Sequence, residues 1–258
     1  MAASPLTKAL YRALLQTTKS LDGPLRLRLP VTQAAVQWMG RGVQHSFVPS
    51  RSAAQELFPL SRGFRIPPEA DSPELEPEAV RGILRKAFRQ PLEPGIDGAD
   101  LGLHALKTLH GQLALARRTS AVRSEADGGV AVIVEATSEY RGRDGGSYVF
   151  QYRVRLLNVG TVPVQVVGRG WNIHNADGSA HATVPRGSPG VVGQTPRLLP
   201  NGDAFEYASG TTLVTPTGSV DGSLQMMTLS NADGSGSEVG SHFDALVGRF
   251  VCDASEQE

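Results

Sequence analysis

The chain has 258 residues, 40% of them hydrophobic and 19% charged, which is enough apolar material for a buried core and too little charge for a disordered tail protein. Lys+Arg and Asp+Glu balance at 25 each, against a protein that coats nucleic acid, and the single cysteine, Cys252, excludes an intramolecular disulfide framework or a multi-cysteine zinc site. No run approaches the roughly 18 apolar residues of a membrane-spanning helix, so the expectation is a soluble chain of one large or two ordinary domains.

In chain order, Ser4-Pro5 is an N-cap with proline at the first helical position, and Leu6, Leu10 and Leu14 then form a stripe that Asp22-Gly23-Pro24 stops. Residues 31–58 carry Trp38, Met39, Leu57 and Phe58 and read as short helical turns. A second helix follows the proline-rich stretch 67–77, with Val80, Ile83, Leu84, Ala87 and Phe88 at helical spacing ahead of Pro91. A third starts at the cap Asp97 and runs through Leu106, Leu109, Leu113 and Ala116. After about residue 120 the period becomes two. Tyr148, Phe150, Tyr152, Val154 and Leu156 alternate with Val149, Gln151, Arg153 and Arg155, a strand with one core face and one wet face. Asp-Gly or Asn-Gly pairs at 127, 144, 177, 201, 221 and 233 predict tight turns between short antiparallel strands. The fold class expected is α+β and multidomain: about three helices, then an all-β sandwich.

Neutrality hides a gradient. The first 66 residues carry nine bases against Asp22 and Glu56, a net of +7, while residues 67–100 are net negative. A basic first quarter suits an acidic partner, a phosphate, RNA or an import receptor. Lys8, Arg12 and Lys19, with no acid in the first 21 residues, resemble the charge pattern of organelle import signals, and the expected location is the mitochondrion, with the plastid as alternative.

The C-terminal half resembles the ApaG domain family. The stretches that carry this are Tyr148-Val-Phe-Gln-Tyr152, Arg169-Gly-Trp171-Asn-Ile173, Gly190-Val-Val-Gly193-Gln-Thr-Pro196, Phe205-Glu-Tyr-Ala-Ser-Gly210 and Gly222-Ser-Leu-Gln-Met226. The resemblance implies a fibronectin type III/immunoglobulin-like sandwich over 118–252, with a tail at 253–258, acting as a protein-interaction module. The N-terminal half resembles the LYR-motif family of small mitochondrial helical proteins through Leu10-Tyr11-Arg12 and the later Arg85-Lys86-Ala87-Phe88-Arg89. It spans 1–117, with a long insert at about 24–68. This implies a helical module that docks acyl carrier protein through Leu10-Tyr11-Arg12 and the later segment, Arg12, Arg85, Lys86 and Arg89 supplying charge and Tyr11 and Phe88 packing. The acyl-phosphopantetheine belongs to that partner; no cofactor of the chain's own is expected.

Catalytic motifs are not evident, and the chain is read as a non-enzyme. Gly187, Gly190 and Gly193 form a glycine-rich run, but no helix follows and the P-loop lysine is absent, so it reads as a turn, with nucleotide or pyrophosphate binding as the alternative. His174, His181 and His242 match no metal-ligand spacing, and Asn231–Ser235 lacks the glutamate that closes a calcium loop. Arg169 and Trp171 are candidates for a recognition surface on the sandwich, Trp171 equally for its core. A ribosome- or RNA-associated accessory role through the basic first quarter is the remaining alternative; outside a ribosomal assembly, no nucleic-acid partner is expected.

Overall fold

The structure, a computed structural model, describes residues 4–26, 42–44, 74–89, 97–230 and 240–255. The chain forms two compact units, Met1–Arg28 with Phe47–Arg117, and Leu29–Ser46 with Arg118–Glu258.

Among the described residues the first unit holds three helices. Helix α1, Pro5–Thr17, begins where the Ser4 hydroxyl accepts the Thr7 amide at 3.1 Å and ends in a 3-10 turn, Thr18–Ser20. Helix α2 is Pro77–Arg89, and α3 is Gly98–Arg118, started by the Asp97 carboxylate accepting the Ala99 amide at 2.8 Å. Two short strands, β1 (Leu25–Arg26) and β3 (Glu74–Leu75), pair antiparallel. The core uses Leu14, then Val80, Ile83, Leu84 and Ala87, then Leu101, Ala105, Leu109 and Leu113. Each large apolar side chain contributes roughly 1.5–3 kcal/mol on full burial. The buried face of α3 is therefore rotated from the expected one. Leu106 and Ala116 are half-buried, and the strict i, i+4 series from Leu101 goes inside.

The second unit is an antiparallel β-sandwich. Its strands are β2 (Gly42–Gln44), β4 (Ser120–Ala126), β5 (Val130–Asp144), β6 (Ser147–Asn158), β7 (Val164–Asn175), β8 (Ala180–Pro189), β9 (Arg197–Leu198), β10 (Asp203–Leu213), β11 (Thr217–Thr228) and β12 (His242–Asp253). One five-stranded sheet runs β2-β10-β6-β5-β4; the other runs β12-β11-β7-β8, with β9 also on β7. Between them lie Phe150, Tyr152, Val154, Leu156, Trp171, Phe205, Tyr207, Phe250 and Cys252. Rings of Tyr152, Trp171 and Phe250 meet pairwise at 5.7–6.5 Å, the spacing of favourable aromatic pairs.

Three sequence expectations change here. Arg153 and Arg155, assigned to the wet face of β6, are 1% and 4% exposed. Residues 42–44, within the stretch read as helical turns, form an edge strand; the rest of 31–58 lies outside the described residues. Asp221-Gly222 is not a turn but a register shift inside β11. Glycine is required there because a Cβ at 222 would sit 2.1 Å from the Gly170 carbonyl oxygen of β7. The pairs at 127, 144, 177 and 201 do turn, each with its glycine at positive φ, and the pair at 233 lies outside the described residues.

Candidate functional site

The residues of the tripeptide and of the later basic segment meet within the helical unit. Tyr11 of α1 and Phe88 of α2 pack ring to ring, centroids 5.2 Å apart and tilted by 37°. Leu10 lies against α3 at Gly102, where a Cβ would come within 3.0 Å of the Leu10 Cβ and 3.4 Å of the Phe88 ring. A side chain at 102 would push α1 outward, so this glycine sets how closely the helices approach. Leu10, Tyr11 and Phe88 are half-buried, whereas Arg12, Arg85, Lys86 and Arg89 are exposed. Leu6 and Leu103, at 59% and 58% exposure, add apolar surface on α1 and α3.

The cations are not equivalent. Arg85 reaches Glu78 at 3.3 Å, and Arg81 holds the same carboxylate at 2.6 Å. The Arg81 hydrogen bond and charge keep the Glu78 carboxyl below its usual range. Arg85 is thus tied to its own helix, and Arg12, Lys86 and Arg89 are the exposed candidate cations that these ion pairs do not involve. A cavity of about 290 Å³ opens elsewhere in the same unit, lined by Thr17, Ser20, His110 and Arg117 over Leu113, with Thr17 Oγ1 3.1 Å from His110 Nε2.

The glycine run of the sandwich is closed on itself. Gly187 N donates to Gln225 Oε1 at 3.0 Å and Gly190 N to the Val167 carbonyl at 3.2 Å. Val191 and Gln194 exchange both backbone bonds at 2.8 Å around Val192-Gly193, a two-residue hairpin turn with φ of 43° and 74°. The amides of Gly187, Gly190, Val191 and Gln194 are thus already donating inside the protein. The Arg169 guanidinium likewise donates to the Pro189 and Gly190 carbonyls at 2.5 and 2.7 Å, so it braces the turn. Its neighbour Trp171, 4% exposed, belongs to the core and is removed from the recognition surface.

Burial also governs the ionisable groups of the core. It raises Tyr152, raises Tyr207 well above its ordinary value, and takes the Cys252 thiol to about 11. Cys252 lies within β12 and is fully buried, which leaves it a packing residue. His174 pairs with Asp221 at 3.6 Å on the sheet surface. Among the described residues no group of three or more His, Cys, Asp and Glu side chains could hold a metal ion.

Sequence reasoning missed one constellation. Glu135 of β5, Arg155 of β6 and Glu206 of β10 stand in one cross-strand row, Arg155 at 3.6 Å from each carboxylate, and all three are less than 5% exposed. The signal was present: an acid at 135, an arginine at 155 and an acid at 206, each on the strand face opposite the aromatic core.

Known proteins resemble the sequence of the sandwich unit. The ApaG domain, DUF525, matches residues 138–228. Protein ApaG of Nitrosospira multiformis is 45% identical over 104 residues, 40% of this chain and 72% of that protein. Protein ApaG of an Anaeromyxobacter species is 39% identical over 122 residues, 47% of this chain and 87% of that one. A structural-genomics target solved by X-ray diffraction is 31% identical, covers 52% of this chain and 93% of its own, and has a TM-score of 0.43. With the matched residues running from β5 to β11, the chain belongs to the ApaG family.

Proposed function

We propose that the protein is a non-enzymatic adaptor of the mitochondrion, its helical unit docking an acylated carrier protein and its sandwich engaging a second protein. The observation that carries this reading is the Tyr11–Phe88 ring contact, which joins Leu10-Tyr11-Arg12 to the Arg85–Arg89 segment on packed helices. An acidic partner bearing a phosphate and a long acyl chain fits what surrounds that contact: exposed Arg12 and Arg89, half-buried rings, and the exposed leucines 6 and 103. Such charge complementarity acts mostly on encounter rate, within a screening length of about 8 Å at 0.15 M salt. The partner contributes the acyl-phosphopantetheine, and this chain contributes cations and an apolar seat. Nucleotide binding through Gly187–Gly193 is disfavoured by the internal hydrogen bonds of that turn.

The experiment is co-expression with an acylated carrier protein, capture at low salt, and intact mass of what co-purifies. The expected result is a stoichiometric carrier protein carrying its acyl group. A chain that comes down bare at low salt leaves the helical unit without this role.

A further inference from the structure

The outer rung of buried charge in the sandwich is incomplete. Glu135, Arg155 and Glu206 alternate acid, base, acid across β5, β6 and β10, and cross-strand neighbours share one face of a sheet. Glu206 is fully buried, and among the described residues neither of its carboxylate oxygens accepts a hydrogen bond. Its one ion-pair partner, Arg155, is at 3.6 Å, beyond hydrogen-bond range, and is shared with Glu135. Arg153 lies one rung along β6, opposite Thr137 and Ala208. The next position in the rung of Glu206 belongs to β2, whose register sets Val43 opposite Glu206. Valine carries no polar side-chain group, so among the described residues the row ends on a buried carboxylate side chain that no hydrogen-bond donor meets. Leaving a desolvated acceptor without a donor is costly, and a charge-assisted bond there would be correspondingly strong.

We propose that the β2-facing edge of β10 around Phe205–Tyr207 is a recognition edge for an extended peptide carrying Lys or Arg opposite Glu206, and that the chain's own β2 is its weakly matched internal occupant. β10 runs for 11 residues, and β2 pairs with only Phe205, Glu206 and Tyr207 of them. Strand addition supplies sequence-independent backbone bonds, and the side chain opposite Glu206 supplies selectivity. β2 holds its place by effective concentration, because the second binding event within one chain needs little intrinsic affinity. A basic strand from a partner gains the bond that valine does not make. This names how the sandwich in the adaptor reading would meet its second protein, and its test involves neither the helical unit nor the carrier protein, so either idea can fail alone.

The test uses the full chain with Gly42→Pro and Val43→Pro together. Alternate amides of a strand face its neighbour, so two consecutive prolines remove at least one ladder donor and release the edge. The probes are fluorescent nonapeptides of residues 39–47 with Val, Lys or Glu at position 43, followed by anisotropy. The Lys peptide should bind about ten-fold or more tighter than the Val peptide, the value of one hydrogen bond to a charged group, with the Glu peptide weakest. Adding Glu206→Gln should collapse the Lys–Val difference. A second measurement, independent of how Glu206→Gln folds, is amide exchange at Gly42–Gln44 in the otherwise native chain. Val43→Lys should slow it by about ten-fold and Val43→Glu should speed it. Equal affinities for all three peptides, no binding by any, or faster exchange in Val43→Lys would each overturn the proposal.

Discussion

Arginines of the helical unit and arginines of the sandwich are handled in opposite ways. On α1 and α2, Arg12 and Arg89 stand in solvent around a half-buried pair of rings, while Arg85 is held by Glu78 on its own helix. In the sandwich, Arg153 and Arg155 are buried in full, and Arg169 is half-buried with its guanidinium on two backbone carbonyls. A guanidinium in water is available to a partner and adds little to stability, whereas one without water must find its acceptors inside the fold. The same residue type therefore stays in solvent in one region and serves as a structural brace in the other. Tyrosines divide in the same way, Tyr11 half-buried beside the basic surface and Tyr152 and Tyr207 enclosed by the core.

If that contrast is right, truncating aromatic residues should separate the regions most strongly. Phe250→Ala removes a ring that is 1% exposed and touches Tyr152 and Trp171, and should cost about 3–5 kcal/mol in denaturant unfolding. Phe88→Ala removes a half-buried ring and should cost about half as much or less, while weakening partner capture. Equal losses would place Phe88 in a core like that of the sandwich.

Alkaline unfolding sharpens the comparison at a smaller magnitude. Burial takes the Cys252 thiol from 9.0 to about 11 and raises Tyr152 and Tyr207 as well. The folded state then holds its protons where the unfolded chain releases them, so stability is complete below pH 9 and is lost as the pH rises towards 11. For the thiol alone this amounts to about 2–3 kcal/mol. Following Trp171 fluorescence against pH, a Cys252→Ala variant should show a shallower decline between those limits; an unchanged slope would mean that this thiol does not report the core.

Smaller still is the turn. Gly190→Ala places a Cβ 2.2 Å from the Gln194 carbonyl oxygen at a φ of 52° and should destabilise by about 1–3 kcal/mol. Val192→Gly, at a φ of 43°, relieves a branched side chain from left-handed backbone and should stabilise by about 1 kcal/mol. Both are read as melting temperatures with and without millimolar nucleotide, which should not alter either value.

What could be read from the sequence differs between the regions for physical reasons. The stripe from Tyr148 to Leu156 and the glycines at 128, 145, 178 and 202 announce strands and turns, because period-two burial and positive φ leave local marks. Helix α1 is visible through its Ser4-Pro5 start, which is also local. Arg153 and Arg155 mislead because alternation reports which residues share a face, not whether that face meets water. β2 is three residues long and exists by pairing with β10, so nothing in 42–44 alone foretells it. Asp221-Gly222 carries a turn signature yet serves a close strand approach, a demand set by Gly170 from 52 positions away. The meeting of Tyr11 with Phe88, 77 residues apart, leaves no mark in the spacing of either segment.

The central claim is that the exposed cations of α1 and α2 serve a partner and not the fold. It is tested most directly by titrating purified acylated carrier protein into the full chain and into its Arg12→Ala/Arg89→Ala variant by calorimetry, at low and at high salt. Binding by the native chain should weaken with salt, the variant should bind at least ten-fold more weakly at low salt, and the two melting temperatures should agree. Equal affinity of the two proteins, or a variant that melts several degrees lower, would contradict the account.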